Sequence, residues 1–344
     1  MRLFSKKPTL TAINLGLQGG GAHGAFTWGV LDALLEDGRL AFDGISGTSA
    51  GAMNAVALAQ GLTDGGIDGA RAALQRFWTA VAAAVPEGLT HAGDDGSVVL
   101  SPVARLMMHW AQYLTPEQIN PFDLNPLRDV IEAQIDFERL RARSPVKLFI
   151  ATTEANTGKL RLFRNRDLHC EALLASACLP TVHRTVMIDG QPYWDGGYSA
   201  NPAVFPLFFE CKARDNLLVL LTPLRHRDTP VSAQDIQDRV MQIGFSSTFL
   251  REMRMYAHLR EHLPRNWLGL QTGTIERSVR QTRFHIIEAA EVLGALNAET
   301  KLAANLRFFE RLRDHGRAHG RQWLQRHRGD VGRRSTVDVD ELFY

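Results

Sequence analysis

The stretch "GISGTSAGAMNA" (residues 44–55) holds Ser49 with a glycine two places to either side, the pattern G-x-S-x-G. In that pattern a serine sits on a sharp turn between a strand and a helix, and its hydroxyl can act as a nucleophile. Gly47 and Gly51 matter because the turn brings strand and helix too close for side chains. The pentad alone is a weak signal; the plainer reading is a hydroxyl in a small-residue loop. A second cluster, "GLQGGGAHGAF", places Gly19, Gly20, Gly21 and Gly24 between an apolar run and a helical pattern. Bare N–H groups at a helix N-terminus collect negative charge, so Gly19, Gly20, Gly21 and Ala22 could form an oxyanion hole. The same loop also satisfies G-x-G-x-x-G, the phosphate loop of a dinucleotide-binding fold.

The following strand separates these readings. A dinucleotide fold wants an acidic residue at the end of its second strand, but Asp43 lies at that strand's beginning and Ser49 at its end. If the first two strands are parallel neighbours, the serine and the glycine loop meet at the carboxyl edge of the sheet, which favours acyl transfer. No G-x-x-x-x-G-K-[ST] occurs, so the glycines do not serve a P-loop. A serine nucleophile needs a base. The histidines after residue 250 lie mostly in charged helical stretches, and none follows a strand in a glycine-rich loop. Asp195 in "YWDGGYSANP" is the better candidate, because Gly196 and Gly197 would present its carboxylate on a tight turn. Its plain alternative is a turn aspartate capping its own loop.

The elements that must position these groups are legible in outline. "AINLGL" reads as a buried strand, "AFTWGVLDALLEDG" as a helix closed by Gly38, "AFDGIS" as a second strand and "AGAMNAVALAQG" as a helix. That β-loop-α-β-turn-α order begins a three-layer α/β fold. Further helices are expected through "GARAALQRFWTAVAAAV" and around 103–114 and 126–134. Residues 86–102 read as a loop without structure of its own, either a lid or binding loop or plain disorder. "VKLFIATTEA" is a central strand with "KLRLF" beside it, and "LHCEALLASACLP" is a helix stopped by Pro180. "MIDGQPYWDGG" is a hairpin and "NLLVLLTP" a buried strand. Beyond it the chain is mostly helical, with one further strand at "RFHIIEA" and an apolar stripe through Phe245, Phe249, Met253, Tyr256, Leu259 and Leu263.

Taken together and in order, "GLQGGGAHGAFTWGVLDALL", "GISGTSAGAMNA" and "YWDGGYSANP" resemble the three signature elements of the patatin-like phospholipases, and the bacterial members most. The resemblance covers residues 10–222, with 223–344 as a mostly helical extension packed on that unit or capping it. It implies a three-layer α/β/α fold around a mainly parallel sheet and a Ser49–Asp195 dyad without histidine. It also implies a glycine-rich oxyanion hole, no cofactor or catalytic metal, and a phospholipid or lysophospholipid ester as substrate. On that reading Ser49 attacks the carbonyl and Asp195, partly buried with a raised pKa, accepts its proton. Where many members carry arginine or lysine in the glycine loop, this chain has His23, either a charge near the oxyanion when protonated or a loop side chain packed on the neighbouring strand. The alternative function is a catalytically weak scaffold that binds lipid at a membrane or storage granule.

Bulk properties fit a globular protein: 344 residues, 45% hydrophobic and 22% charged. Three cysteines without C-x-x-C spacing indicate neither a disulfide framework nor zinc. The basic start has no h-region and no apolar run could span a bilayer, so a cytoplasmic protein, at most peripheral to a membrane, is expected. The net charge of +2 hides an asymmetry: residues 251–334 hold 17 Lys or Arg against 9 Asp or Glu, the rest 22 against 28. That basic C-terminal third could touch an anionic membrane, although solvated helix faces explain it as well. Nucleic acid is not expected as a partner, and the oligomeric state is open.

Overall fold

A computed structural model of the protein describes residues 10–85, 88, 90–92, 98–111, 113–226, 228–263 and 273–344. Its first half carries β1 (Thr11–Leu17), α1 (Gly24–Asp37), β2 (Leu40–Thr48), α2 (Ala50–Ala83), β3 (Thr90–Ala92), β4 (Val98–Leu100) and α3 (Pro102–Ala111). Next come α4 (Pro116–Ile119), α5 (Pro126–Gln134), α6 (Phe137–Arg143), β5 (Lys147–Glu154), β6 (Leu160–Arg164) and α7 (Cys170–Ser176). The hairpin β7 (Val186–Ile188) and β8 (Gln191–Asp195) precedes α8 (Phe205–Phe209), β9 (Asp215–Leu220) and α9 (Ala233–His262). The chain closes with α10 (Thr274–Gln281), β10 (Arg283–Glu288), α11 (Ala290–Leu293), α12 (Leu306–His327) and α13 (Val339–Phe343).

The main sheet runs β10-β9-β1-β2-β5-β8-β7, with β6 also paired to β5. All pairings from β10 to β5 are parallel; those of β5 with β6 and β8, and of β7 with β8, are antiparallel. Side chains alternate between two cores, as a sheet covered on both faces requires. On β9, Leu217 and Val219 join the core shared with α1, α2 and α12. Leu218 and Leu220 face the other way, toward Phe208, Phe249, Met253 and Tyr256 of α8 and α9. Three layers, α/β/α, result.

Several local expectations change. Residues 86–102 are not structureless: β3 and β4 pair as an antiparallel hairpin, and residues 86, 87, 89 and 93–97 lie outside the described residues. The helix expected to run up to Pro180 ends at Ser176, because Ala177 and Cys178 turn their N–H groups back onto the carbonyls of Leu174 and Ala175. α2 joins the two helices read there, with a break at Gly65 and Gly66. Of the apolar stripe on α9, Phe249, Met253 and Tyr256 are buried, whereas Leu259 faces solvent. Among the described residues no helix is long and apolar enough to cross a membrane.

Candidate active site

The register of β5 assembles the site. β2 ends with Thr48 paired to Ala151, and on the same edge of β5 the next residue, Thr152, pairs with Asp195 at the end of β8. β2 runs parallel to β5 and β8 antiparallel to it, so the two strands meet end to end. Ser49, one residue past β2, therefore arrives beside Asp195.

The turn at Ser49 is strained, with φ 53° and ψ −123°. A non-glycine residue adopts such a backbone only where its surroundings enforce it. Enforcement here is local. A Cβ on Gly47 would stand 2.6 Å from the Gly51 carbonyl oxygen, and one on Gly51 would stand 2.1 Å from the Leu17 carbonyl oxygen. Only glycines let β1, β2 and α2 close around the serine. Thr48 Oγ1 donates to the Ala200 carbonyl (2.8 Å), and the Ser49 N–H donates to Ser176 Oγ (2.9 Å). The half-buried Ser49 is thus pinned from both flanks.

Asp195 is 2% exposed. Its N–H donates to the Cys178 carbonyl and its own carbonyl accepts from Thr153 Oγ1, both at 2.8 Å. The Gly197 N–H donates to Asp195 Oδ1 at 2.7 Å, and Ser49 stands near enough to the same carboxylate to lower its pKa. Burial raises the Asp195 pKa to about 7, against the opposing effect of the Gly197 N–H and of nearby Ser49. Gly196 and Gly197 form a short 3-10 turn, over which α9 lays the ring of Phe245.

The glycine-rich loop lies against the serine: a Cβ on Gly19 would meet Ser49 Cβ at 2.8 Å. Gly19, expected among the oxyanion donors, has its N–H committed to Asn201 Oδ1 at 2.7 Å. Past it, Gly21–His23 make a 3-10 turn. Among the described residues the N–H groups of Gly20, Gly21 and Ala22 find no acceptor. His23 is packed rather than charged. Its ring is buried, bonds Thr300 Oγ1 through Nε2 (2.8 Å) and packs edge-on near Phe308. Burial, reinforced by nearby Lys301, lowers its pKa to about 3, so it brings no charge to the loop at neutral pH. A cleft of about 370 Å³ opens beside it, lined by Lys301, Arg239, Asp238 and Gln242 among others.

Sequence reasoning gave no site role to Ser176, Asn201, Gln18 or Phe245. Gln18 Oε1 accepts the N–H groups of Leu221 and Thr222, which ties the end of β9 to the loop. Asn201 stood inside a quoted motif, but nothing local marked its partner. Gln18 stood inside the quoted glycine-rich stretch and Phe245 in the apolar stripe, whereas Ser176 carries no motif.

Comparison with known proteins follows from this geometry. No curated protein matches the chain. Among solved structures it is similar to VipD from Legionella pneumophila, at 14% identity and TM-score 0.37, covering 91% of this chain and 67% of that one. It is also similar to full-length ExoU from the type III secretion system of Pseudomonas aeruginosa, solved with full-length SpcU, at 15% identity and TM-score 0.34. That match covers 93% of this chain and 53% of ExoU, so the chain spans about half of ExoU's length. The patatin-like phospholipase family model matches residues 15–208, a stretch that holds the glycine-rich loop, the Ser49 turn and Asp195. With more than half of the chain matched and the α/β/α sheet in place, this protein belongs to the patatin-like phospholipase family.

Proposed function

We propose that the protein is a lipid acyl hydrolase that cleaves carboxylic esters of phospholipids or lysophospholipids through a Ser49–Asp195 dyad. The observation that carries this reading is the end-to-end meeting of β2 and β8, which sets the Ser49 hydroxyl against a buried carboxylate with a pKa of about 7. A carboxylate at its ordinary value near 3.8 would be a weak base; one near 7 matches its task at neutral pH.

Ser49 Oγ attacks the ester carbonyl while Asp195 takes its proton. The tetrahedral oxyanion is held by the N–H groups of Gly20, Gly21 and Ala22, which face it without competing acceptors. Collapse expels the alcohol, which receives the proton from Asp195, and leaves an acyl group on Ser49. Water then attacks the acyl carbon, Asp195 takes the water's proton and returns it to Ser49, and the fatty acid departs. Residues 10–222 carry this chemistry, and 223–344 act as the cover, since Phe245 and Lys301 both lie against its loops.

The test is fatty-acid release from a phospholipid and lysophospholipid panel in the presence of EDTA, for wild type, Ser49→Ala and Asp195→Asn. Release by wild type alone supports the dyad. Full release by Ser49→Ala overturns it. Labelling by a fluorophosphonate that disappears with Ser49→Ala would identify the nucleophile independently of substrate choice.

A further inference from the structure

Between residues 102 and 124 a series of large apolar side chains faces solvent. On α3, Val103, Leu106 and Trp110 recur at i, i+3 and i+7 and all face solvent, while Ala104 is buried. A helix of a globular protein normally turns such a stripe to the core. The run continues through Tyr113, Leu114 and Ile119 to Phe122 and Leu124, exposed at 83% and 71%. Single exposed apolar residues are ordinary, but eight within 22 positions make a patch.

The patch is built. Asn120 Nδ2 donates to the Leu124 carbonyl (2.8 Å), and the Leu124 N–H donates back to Asn120 Oδ1 (2.9 Å), closing a loop with Phe122 at its tip. Arg184 Nη2 donates to the carbonyls of Asn120 and Pro121 at 2.8 and 2.9 Å. Both ends lean on the site. Arg105 of α3 pairs with Glu299 (3.5 Å), in the 3-10 turn Ala298–Leu302 that rests on Gly21 and His23. Arg184 belongs to the segment after Cys178, whose carbonyl holds the Asp195 N–H.

The patch is also close to neutral. Its charged residues are Arg105, Glu117 and Asp123, so attraction to anionic lipid is not its design. Aromatic rings with polar tips beside bulky aliphatic groups are what the boundary of a bilayer accepts. We propose that the exposed apolar side chains of α3 and of the Asn120–Leu124 loop are the bilayer-docking surface, inserting Leu106, Trp110 and Phe122 into the interfacial zone of a zwitterionic phospholipid membrane. This rests on reading the protein as a lipid hydrolase. It assigns membrane contact to a neutral apolar segment instead of the basic C-terminal third.

The experiment is co-sedimentation of full-length Ser49→Ala protein with phosphatidylcholine vesicles, in about 0.1 M and 1 M NaCl, so that binding is read without turnover. The same is done with Leu106→Ser/Trp110→Ser/Phe122→Ser and with Phe122→Ser alone, each added to Ser49→Ala. Binding that survives salt and falls at least about tenfold in the triple variant supports the proposal. In the Ser49-intact background, the triple variant should hydrolyse a water-soluble short-chain ester at the wild-type rate. If the triple variant folds poorly, Phe122→Ser decides, with an expected loss of about threefold or more. No vesicle binding, or binding unchanged by Phe122→Ser and by the triple variant, overturns the proposal. So does binding confined to phosphatidylserine-containing vesicles and abolished by salt, which would return contact to the basic third. A dimer that the triple variant splits, without change in vesicle binding, would assign the patch to a second copy of the chain. Failure of the hydrolase reading looks different: the wild type would release no acid from lipid or soluble ester, whatever it binds.

Discussion

The Cδ1 atom of Phe245 lies 2.4 Å from where a Cβ on Gly197 would stand. α9, far along the chain from the motifs, therefore packs directly on the turn that presents Asp195. Gly197→Ala would collide with a ring that can yield, so a cost of about 1–3 kcal/mol is expected. Adding Phe245→Ala should make the alanine at 197 nearly harmless. The double-mutant cycle, measured by denaturant unfolding, should show a coupling of about 1 kcal/mol or more. Additive costs would mean that the ring moves aside freely.

Activity should depend on the ionisation of Asp195. With its pKa at about 7, kcat/KM on a soluble ester should climb with pH through about 7 and then level. An ascending limb near pH 4 would show that the carboxyl is solvated in the working enzyme.

The same carboxyl affects stability, with a definite sign. In the unfolded chain it ionises near its ordinary 3.8, and in the fold near 7. Below pH 4 both states keep the proton and burial carries no penalty. Between those values the unfolded chain releases its proton first, so the fold loses stability as pH rises, and the loss is complete above about 7. At 1.36 kcal/mol per pH unit the full effect is at most about 4 kcal/mol. Asp195→Asn should accordingly melt above wild type at pH 8, with the difference closing toward pH 4. Equal melting temperatures at both would remove the basis for a buried ionisable group.

His23→Gln should leave the position of the pH limb unchanged, because the ring is neutral wherever the enzyme works. Its cost should fall on stability, about 1–3 kcal/mol, through the Thr300 bond and packing near Phe308. A pH limb displaced by His23→Gln would restore it as a charge beside the oxyanion.

Asn201→Ala should weaken both the fold and the rate. It leaves the buried N–H of Gly19 without an acceptor, a loss of about 1–3 kcal/mol, and frees the loop proposed to hold the oxyanion. Unfolding midpoints and kcat on a soluble ester read the two effects separately. A stable variant with wild-type kcat would detach Asn201 from the site.

What could be read in advance follows from what is local. The strand–glycine–helix order of residues 11–61 announces itself by short-range periodicity and by residues that only a tight turn requires, and the three-layer fold follows from that order. The meeting of β2 and β8 does not, because it depends on a register along β5 that no single segment encodes. His23 shows the same limit from the other side. Beside glycines it reads as a loop residue near charge, but its burial is imposed by Thr300 and Phe308, brought in from the far end of the chain. Ser176 and Phe245 are ordinary helix residues until the fold gives them partners.

Because Ser49 and Asp195 are brought together along β5, a chain that has formed its helices but not this strand alignment keeps the proposed nucleophile and base apart. Such alignment joins distant segments and comes late, after the entropy of closing long loops has been overcome. Fluorophosphonate reactivity at Ser49 is thus a reporter of completed topology as well as of chemistry. In refolding from denaturant, helical signal should return first and labelling competence afterwards.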